Sequence, residues 1–118
     1  MEWRNEWGGL HRVDGPARIE PAGHKEWYMN GQLHRADGPA VEYSNGDRRW
    51  YSNGRQHRVD GPALEWIDGT QRWYINNQLH RVDGPAVIRA NETREWWING
   101  QQLTQFEHWV LTGTKETV

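Results

Sequence analysis

Four histidines and four aspartates recur at one interval. His11, His34, His57 and His80 stand 23 residues apart, and Asp14, Asp37, Asp60 and Asp83 each follow three residues later. Imidazole and carboxylate are metal ligands and acid–base partners. Four arginines share the pattern, Arg12, Arg35, Arg58 and Arg81. A ladder of guanidinium groups on an aromatic sheet is one way to hold nucleic acid. Catalysis, however, needs one asymmetric constellation, and this set is copied four times. Each arginine also has an aspartate two residues on, which favours pairing within the turn. An Asp before Gly-Pro can accept from nearby backbone N–H groups. The twelve residues are therefore assigned to a structural turn lock, with a metal row as the main chemical alternative.

The remaining signals point away from an enzyme. Glu42 and Glu65 occupy equivalent positions, but their counterparts are Ile19 and Ile88, so no carboxylate pair persists. No nucleophile motif, phosphate loop or zinc-ligand spacing is present. No catalytic, cofactor-binding or metal residue is assigned, and no cofactor is expected.

These residues lie within a repeated heptapeptide, His-Arg-x-Asp-Gly-Pro-Ala, which begins at positions 11, 34, 57 and 80. A second phrase keeps step: Trp27-Tyr28-Met29-Asn30, Trp50-Tyr51-Ser52-Asn53, Trp73-Tyr74-Ile75-Asn76 and Trp96-Trp97-Ile98-Asn99. Each unit offers two strands and two turns. Strands are expected after each proline, at 17–20, 40–43, 63–67 and 86–89, because proline is tolerated at a strand start. The Trp-bearing strands fall at 25–29, 48–52, 71–75 and 94–98. Asn45-Gly46, Asp68-Gly69, Asn30-Gly31, Asn53-Gly54 and Asn99-Gly100 are strong hairpin signals. No helical periodicity is found.

The expected fold is all-β: an elongated, single-layer antiparallel meander of four 23-residue hairpin repeats, plus capping strands. Residues 1–118 form a single repeat domain: an N-terminal cap strand at 1–9, repeats at 10–32, 33–55, 56–78 and 79–101, and a C-terminal cap strand at 102–113. The tail 114–118 is expected to fray. About ten strands at roughly 4.8 Å each give a sheet about 45 Å long. Adjacent Trp and Tyr point to opposite faces, so each face carries an aromatic row. Successive rings on one face lie about 9–10 Å apart, too far for direct ring contact. An alanine, an aliphatic side chain, an arginine or a ligand must fill each gap.

Composition agrees with such an array. Of 118 residues, 35% are hydrophobic, yet nine are Trp, four Tyr and thirteen Gly. Mean hydropathy is −1.08, too polar for a thick central core. A repeat array needs burial only between neighbours, and each aromatic ring can bury a large area. The net charge of −2 gives no footprint for nucleic acid. The absence of cysteine excludes disulfides and thiolate metal sites. No apolar run reaches membrane-span length, and Met1-Glu2-Trp3-Arg4 is not a secretory signal. A cytoplasmic protein without membrane contact is expected.

With its Trp-Tyr-x-Asn-Gly phrase and 23-residue step, the segment 10–101 resembles the MORN-repeat group. It is most similar to the His-Arg-x-Asp-Gly-Pro-Ala variety of phage and giant-virus proteins. Asp-Gly-Pro-Ala stands where that group usually has a Gly-x-Gly pair. The resemblance implies an elongated scaffold or interaction surface, often self-associating, and carries over no active site. It also implies host cytoplasm as the location, if the chain is viral.

Residues that break the repeat are the better candidates for function. Trp66, Trp73, Trp96, Trp97, Phe106 and Trp109 gather aromatic area in the C-terminal half, and exposed aromatic patches mark interfaces. The expected function is non-enzymatic: a binding module for another protein or a second copy of itself, with a phage-encoded inhibitor of a host complex as the form the resemblance suggests. The alternative is an aromatic slot for a nucleotide, a choline-like cation or a sugar.

Overall fold

The Asn-Gly pairs set the geometry of every repeat. Asn30 and Gly31 both take positive φ, 51° and 79°, as do Asn53 and Gly54, Asn76 and Asn77, and Asn99 and Gly100. Two successive residues in that region make the turn whose twist matches a two-stranded ribbon. The other turn of each repeat uses one such residue, Gly23, Gly46 and Gly69 at 97–99°. In the fourth copy Glu92 takes that place with φ 71°.

The structure is a computed structural model that describes residues 1–114; of the tail expected to fray, 115–118 lie outside the described residues. The first repeat contributes β1 (Arg18–Ile19), β2 (Lys25–Glu26), β3 (Tyr28–Met29) and β4 (Gln32–Leu33). The second contributes β5 (Val41–Glu42), β6 (Arg48–Arg49), β7 (Tyr51–Ser52) and β8 (Arg55–Gln56). The third gives β9 (Leu64–Glu65), β10 (Gln71–Arg72), β11 (Tyr74–Ile75) and β12 (Gln78–Leu79). The fourth gives β13 (Val87–Ile88), β14 (Arg94–Ile98) and β15 (Gln101–Leu103), followed by the helix α1 (Gln105–Thr112). One antiparallel sheet runs β1-β2-β5-β6-β9-β10-β13-β14-β15, and β3-β4, β7-β8 and β11-β12 form separate ribbons beside it. The molecule is an open, elongated all-β meander, 51 × 26 × 18 Å.

Fifteen strands stand where about ten were expected. In the first three repeats the Trp-bearing strand divides at its tryptophan, whereas β14 runs unbroken through Trp96, and each repeat adds a short strand after its Asn turn, β4, β8, β12 and β15. The Trp27 amide donates to Ala40 O in the next repeat (2.7 Å), while its carbonyl accepts from His34 N of its own hairpin (3.0 Å). Trp50 and Trp73 repeat both bonds with Ala63 and His57, and with Ala86 and His80. Tryptophan is thus the point where the chain leaves the long sheet for its ribbon. Each alanine that meets it, Ala17, Ala40, Ala63 and Ala86, has no exposed surface. Val41, Leu64 and Val87 are the other buried hydrophobic residues among those described.

At the N-terminus, Trp3 N donates to Ala17 O and Trp3 O accepts from His11 N, the same pattern one step earlier. The segment 1–9 pairs through two isolated bridges, Glu2 with Arg18 and Arg4 with Leu10. The C-terminal cap differs from the expected strand at 102–113. After β15 the chain forms α1, where no helix was expected. The local reasons are in the sequence. Thr104 and Glu107 make a reciprocal capping box, and Gly113 ends the helix at φ 73°. Nine residues from Thr104 to Thr112 hold neither Gly nor Pro. No helix among the described residues is long and apolar enough to cross a membrane.

Candidate functional site

The heptapeptide loop is built around its arginine. Arg58 Nε donates to Asp60 Oδ1 at 3.1 Å and Nη1 donates to Pro62 O at 3.0 Å. Its guanidinium lies 4.0 Å from the centroid of the Trp50 ring. Arg12, Arg35 and Arg81 repeat all three contacts, with ring distances of 3.9 Å to Trp3, Trp27 and Trp73. Stacking of this kind contributes about 0.5–2 kcal/mol, depending on desolvation. Arginine, among the candidates for the gaps in the Trp row, is the group found on those rings.

The glycines of the first three loops make room for this stack. A Cβ on Gly15 or Gly38 would stand 3.0 Å from the arginine Cζ, and on Gly61 2.8 Å. None of these three has positive φ. The requirement is close approach of the guanidinium to bare backbone. The four aspartates are 80–88% exposed at their side chains, so the lock leaves an acidic row on one edge of the molecule. Between successive loops lie open grooves of about 660, 610 and 800 Å³.

The histidines do not pair with the aspartates. Each Nδ1 accepts from the backbone amide of an asparagine 19 residues on: His11 from Asn30 (2.9 Å), His34 from Asn53 (3.0 Å), His57 from Asn76 (3.1 Å) and His80 from Asn99 (3.0 Å). An amide N–H can only donate, so Nδ1 carries no proton and the hydrogen sits on Nε2. These histidines latch the start of each repeat to the turn that closes it. Among the described residues no three His, Asp or Glu side chains gather as a metal-ligand group.

The two faces of the sheet are chemically distinct. On the tryptophan face Arg48 pairs with Glu65 at 2.9 Å, and Arg35 with Glu42 and Arg58 with Glu65 at 3.3 and 3.5 Å. On the tyrosine face Tyr28 Oη donates to Glu26 (3.2 Å) and Trp97 Nε1 to Glu95 (2.9 Å). Burial, then the neighbouring Glu26 carboxylate, raises the pKa of the Tyr28 hydroxyl. Arg89, then Trp97, lowers that of Glu95.

The six aromatic residues singled out in the sequence divide into two groups. Trp66 closes the hairpin between β9 and β10, with its amide on Thr70 O. Trp73 lies under Arg81, Trp97 is bonded to Glu95, and Trp96 buries an Nε1 that has no hydrogen-bond partner. These four are half-buried parts of the sheet. Phe106 and Trp109 sit on α1 in edge-to-face contact, centroids 5.7 Å apart.

The helix is turned in an unusual sense. Its one buried residue is His108, 1% exposed, with Nε2 donating to Arg81 O at 2.7 Å. Phe106, Val110 and Leu111 are 65, 65 and 64% exposed. With Leu103 and Glu107 they line an apolar depression of about 350 Å³. Val110, Leu111 and His108 escaped the sequence reading because the segment was read as a strand. The Thr-x-x-Glu capping box was the signal that could have found them.

Comparison of the chain with protein-family models, with curated proteins and with solved structures finds no match.

Proposed function

We propose that this is a non-enzymatic repeat protein that binds another protein through the outer face of α1. The observation that supports the reading is the orientation of that helix. A terminal cap of a repeat array normally shows a polar outer face to remain soluble. Here a histidine goes inward and Phe106, Val110 and Leu111 face out. Contiguous apolar surface rimmed by polar groups is the usual mark of a protein interface, and aromatic anchors supply much of the binding energy at such surfaces. The resemblance to phage and giant-virus repeat proteins extends the proposal to a host complex as the partner, in the host cytoplasm.

The test is a double substitution, Phe106→Glu with Leu111→Glu, on residues that are already exposed. The variant should keep the parent's melting temperature and lose capture of the partner in pulldowns from host lysate. Self-association, if the partner is a second copy, should disappear in sedimentation. Undiminished capture and an unchanged oligomeric state would exclude α1 as the surface.

The small-ligand reading draws on the three grooves between the lock loops. An arginine already covers a face of each of the rings Trp27, Trp50 and Trp73, which leaves the groove edges rather than a free aromatic slot. Saturable quenching of tryptophan fluorescence by a nucleotide, a choline-like cation or a sugar would favour this second reading.

A further inference from the structure

The register of the long sheet aligns eight residues directly across the strands of the tyrosine face. They run Arg18, Glu26, Val41, Arg49, Leu64, Arg72, Val87 and Glu95. Every second one is the residue before a repeat tryptophan. That position is Glu in the first repeat, Arg in the second and third, and Glu in the fourth. The heptapeptide and the tryptophan stay nearly constant, while this register and that of Ile19, Glu42, Glu65 and Ile88 both differ between the outer and inner copies.

The two kinds of residue are satisfied differently. Glu26 accepts from Tyr28 Oη, lies 3.1 Å from His24 Nε2 and faces Arg18 at 3.5 Å. Glu95 accepts from Trp97 Nε1 and pairs with Arg89. Both carboxylates are therefore held by partners within their own repeat. Arg49 and Arg72 each bury an Nε with no hydrogen-bond partner. Among the described residues neither guanidinium has a close ion pair, a hydrogen bond or a stacking ring, although the charge of Arg72 acts on Glu95 from a distance and helps lower its pKa. Two residues on, Tyr51 and Tyr74 begin the ribbons β7–β8 and β11–β12, at the position from which Tyr28 Oη reaches Glu26 in the first repeat, and neither hydroxyl has a hydrogen-bond partner among the described residues.

We propose that Arg49 and Arg72, with the hydroxyls of Tyr51 and Tyr74, form a binding site for a compact oxyanion, a phosphate or a carboxylate group. Three arguments carry it. First, a buried N–H without a partner is unfavourable, and Val41, Leu64 and Val87 beside it would accept an apolar neighbour. Two copies of the cost are nonetheless retained. Second, guanidinium presents a planar fork of donors that matches both oxyanions. The two arginines lie two strands apart, about 9–10 Å at the backbone, a distance that long side chains can close onto one ligand. Third, the site is bounded. Glu26 and Glu95 flank the arginines in the same row, so a long polyanion running along the sheet meets carboxylates on both sides. The row selects a single anionic group, free or carried on a protein side chain, and disfavours a nucleic-acid strand. The site lies on the sheet, away from α1, and does not depend on the partner proposed for the helix.

The experiment is an NMR titration of the full chain at low ionic strength, following the arginine Hε resonances. The probes are inorganic phosphate and a short glutamate peptide. Saturable shifts of Arg49 and Arg72 are expected with at least one probe. Tighter binding of phosphate identifies a free anion as the ligand, and tighter binding of the peptide identifies protein carboxylates. Arg49→Gln with Arg72→Gln should weaken binding at least tenfold. Arg94→Gln, an equal change of charge on an exposed residue in the neighbouring register, should change it less than twofold. Arg49→Met and Arg72→Met should leave the melting temperature unchanged or raised. Three results would overturn the proposal: no saturable shift with either probe, an equal loss in Arg94→Gln, or a fall in melting temperature in both Met variants.

Discussion

The Arg58 guanidinium lies 4.0 Å above the Trp50 ring while the same group donates to Pro62 O at 3.0 Å. One side chain thus closes its own loop and joins it to the previous repeat. Lysine would keep the charge but lose the planar stack and the fork of donors. Arg58→Lys is expected to lower stability by about 1–2 kcal/mol, read as a shift of the urea midpoint. An unchanged midpoint would show that the stack contributes little.

Gly61 and Arg58 should be energetically coupled. A methyl group at Gly61 would meet the Arg58 Cζ at 2.8 Å, and overpacking of this kind costs about 1–3 kcal/mol. In an Arg58→Ala background the obstacle is gone. Gly61→Ala should then be nearly neutral, and a double-mutant cycle measured by urea unfolding should return a coupling above about 0.5 kcal/mol.

His57 acts through Nδ1, which accepts from Asn76 N at 3.1 Å. His57→Ala should cost about 0.5–1.5 kcal/mol. His57→Asn places a carbonyl oxygen close to the Nδ1 position and should recover most of the loss. Thermal melts of the two variants check this, and equal melting temperatures would remove the latch from the account.

Glu92 takes the place held by Gly23, Gly46 and Gly69, with φ 71°. The left-handed region is unfavourable for a residue with a Cβ. Glu92→Gly should therefore stabilise the chain by about 0.5–1 kcal/mol, after the entropy that glycine adds to the unfolded state is discounted. Calorimetry showing a lower melting temperature would mean that Glu92 makes a compensating contact.

The capping box makes α1 sensitive to acid. The Thr104 amide donates to Glu107 and lowers the pKa of that carboxyl. A carboxyl depressed in the folded state contributes stability above the ordinary Glu range, and that contribution fades as pH falls through the depressed value. The start of α1 should fray on acidification before the sheet responds, visible in the Thr104 and Glu107 amide resonances. Thr104→Ala removes the other half of the box and should cost the helix about 0.5–2 kcal/mol at neutral pH.

Much of the fold could be read from the sequence because its determinants are local. Asn-Gly demands its turn, and the heptapeptide marks each loop. The division of the Trp strands was not legible, since it depends on which strand each tryptophan amide and carbonyl finds, Ala40 on one side and His34 on the other. The helix was legible in principle, from Thr104, Glu107 and Gly113. The apparent next step of the 23-residue pattern obscured it.

The candidate sites divide in the same way. That the arginines and aspartates would lock their loops follows from their spacing of two residues. That the histidines would reach across 19 residues to the next asparagine does not, because only the packing of neighbouring ribbons brings Nδ1 to that amide.

The amino-acid order alone determined the antiparallel array, its period, its turns and its aromatic faces, all of which arise from contacts within one repeat or its nearest neighbour. Tertiary structure alone decided which side of α1 meets solvent, and which row collects Arg49 and Arg72. Both depend on how separate segments pair and pack: Arg49 and Arg72 through Leu64, and α1 against Arg81. A one-residue shift in pairing would send those side chains to the opposite face.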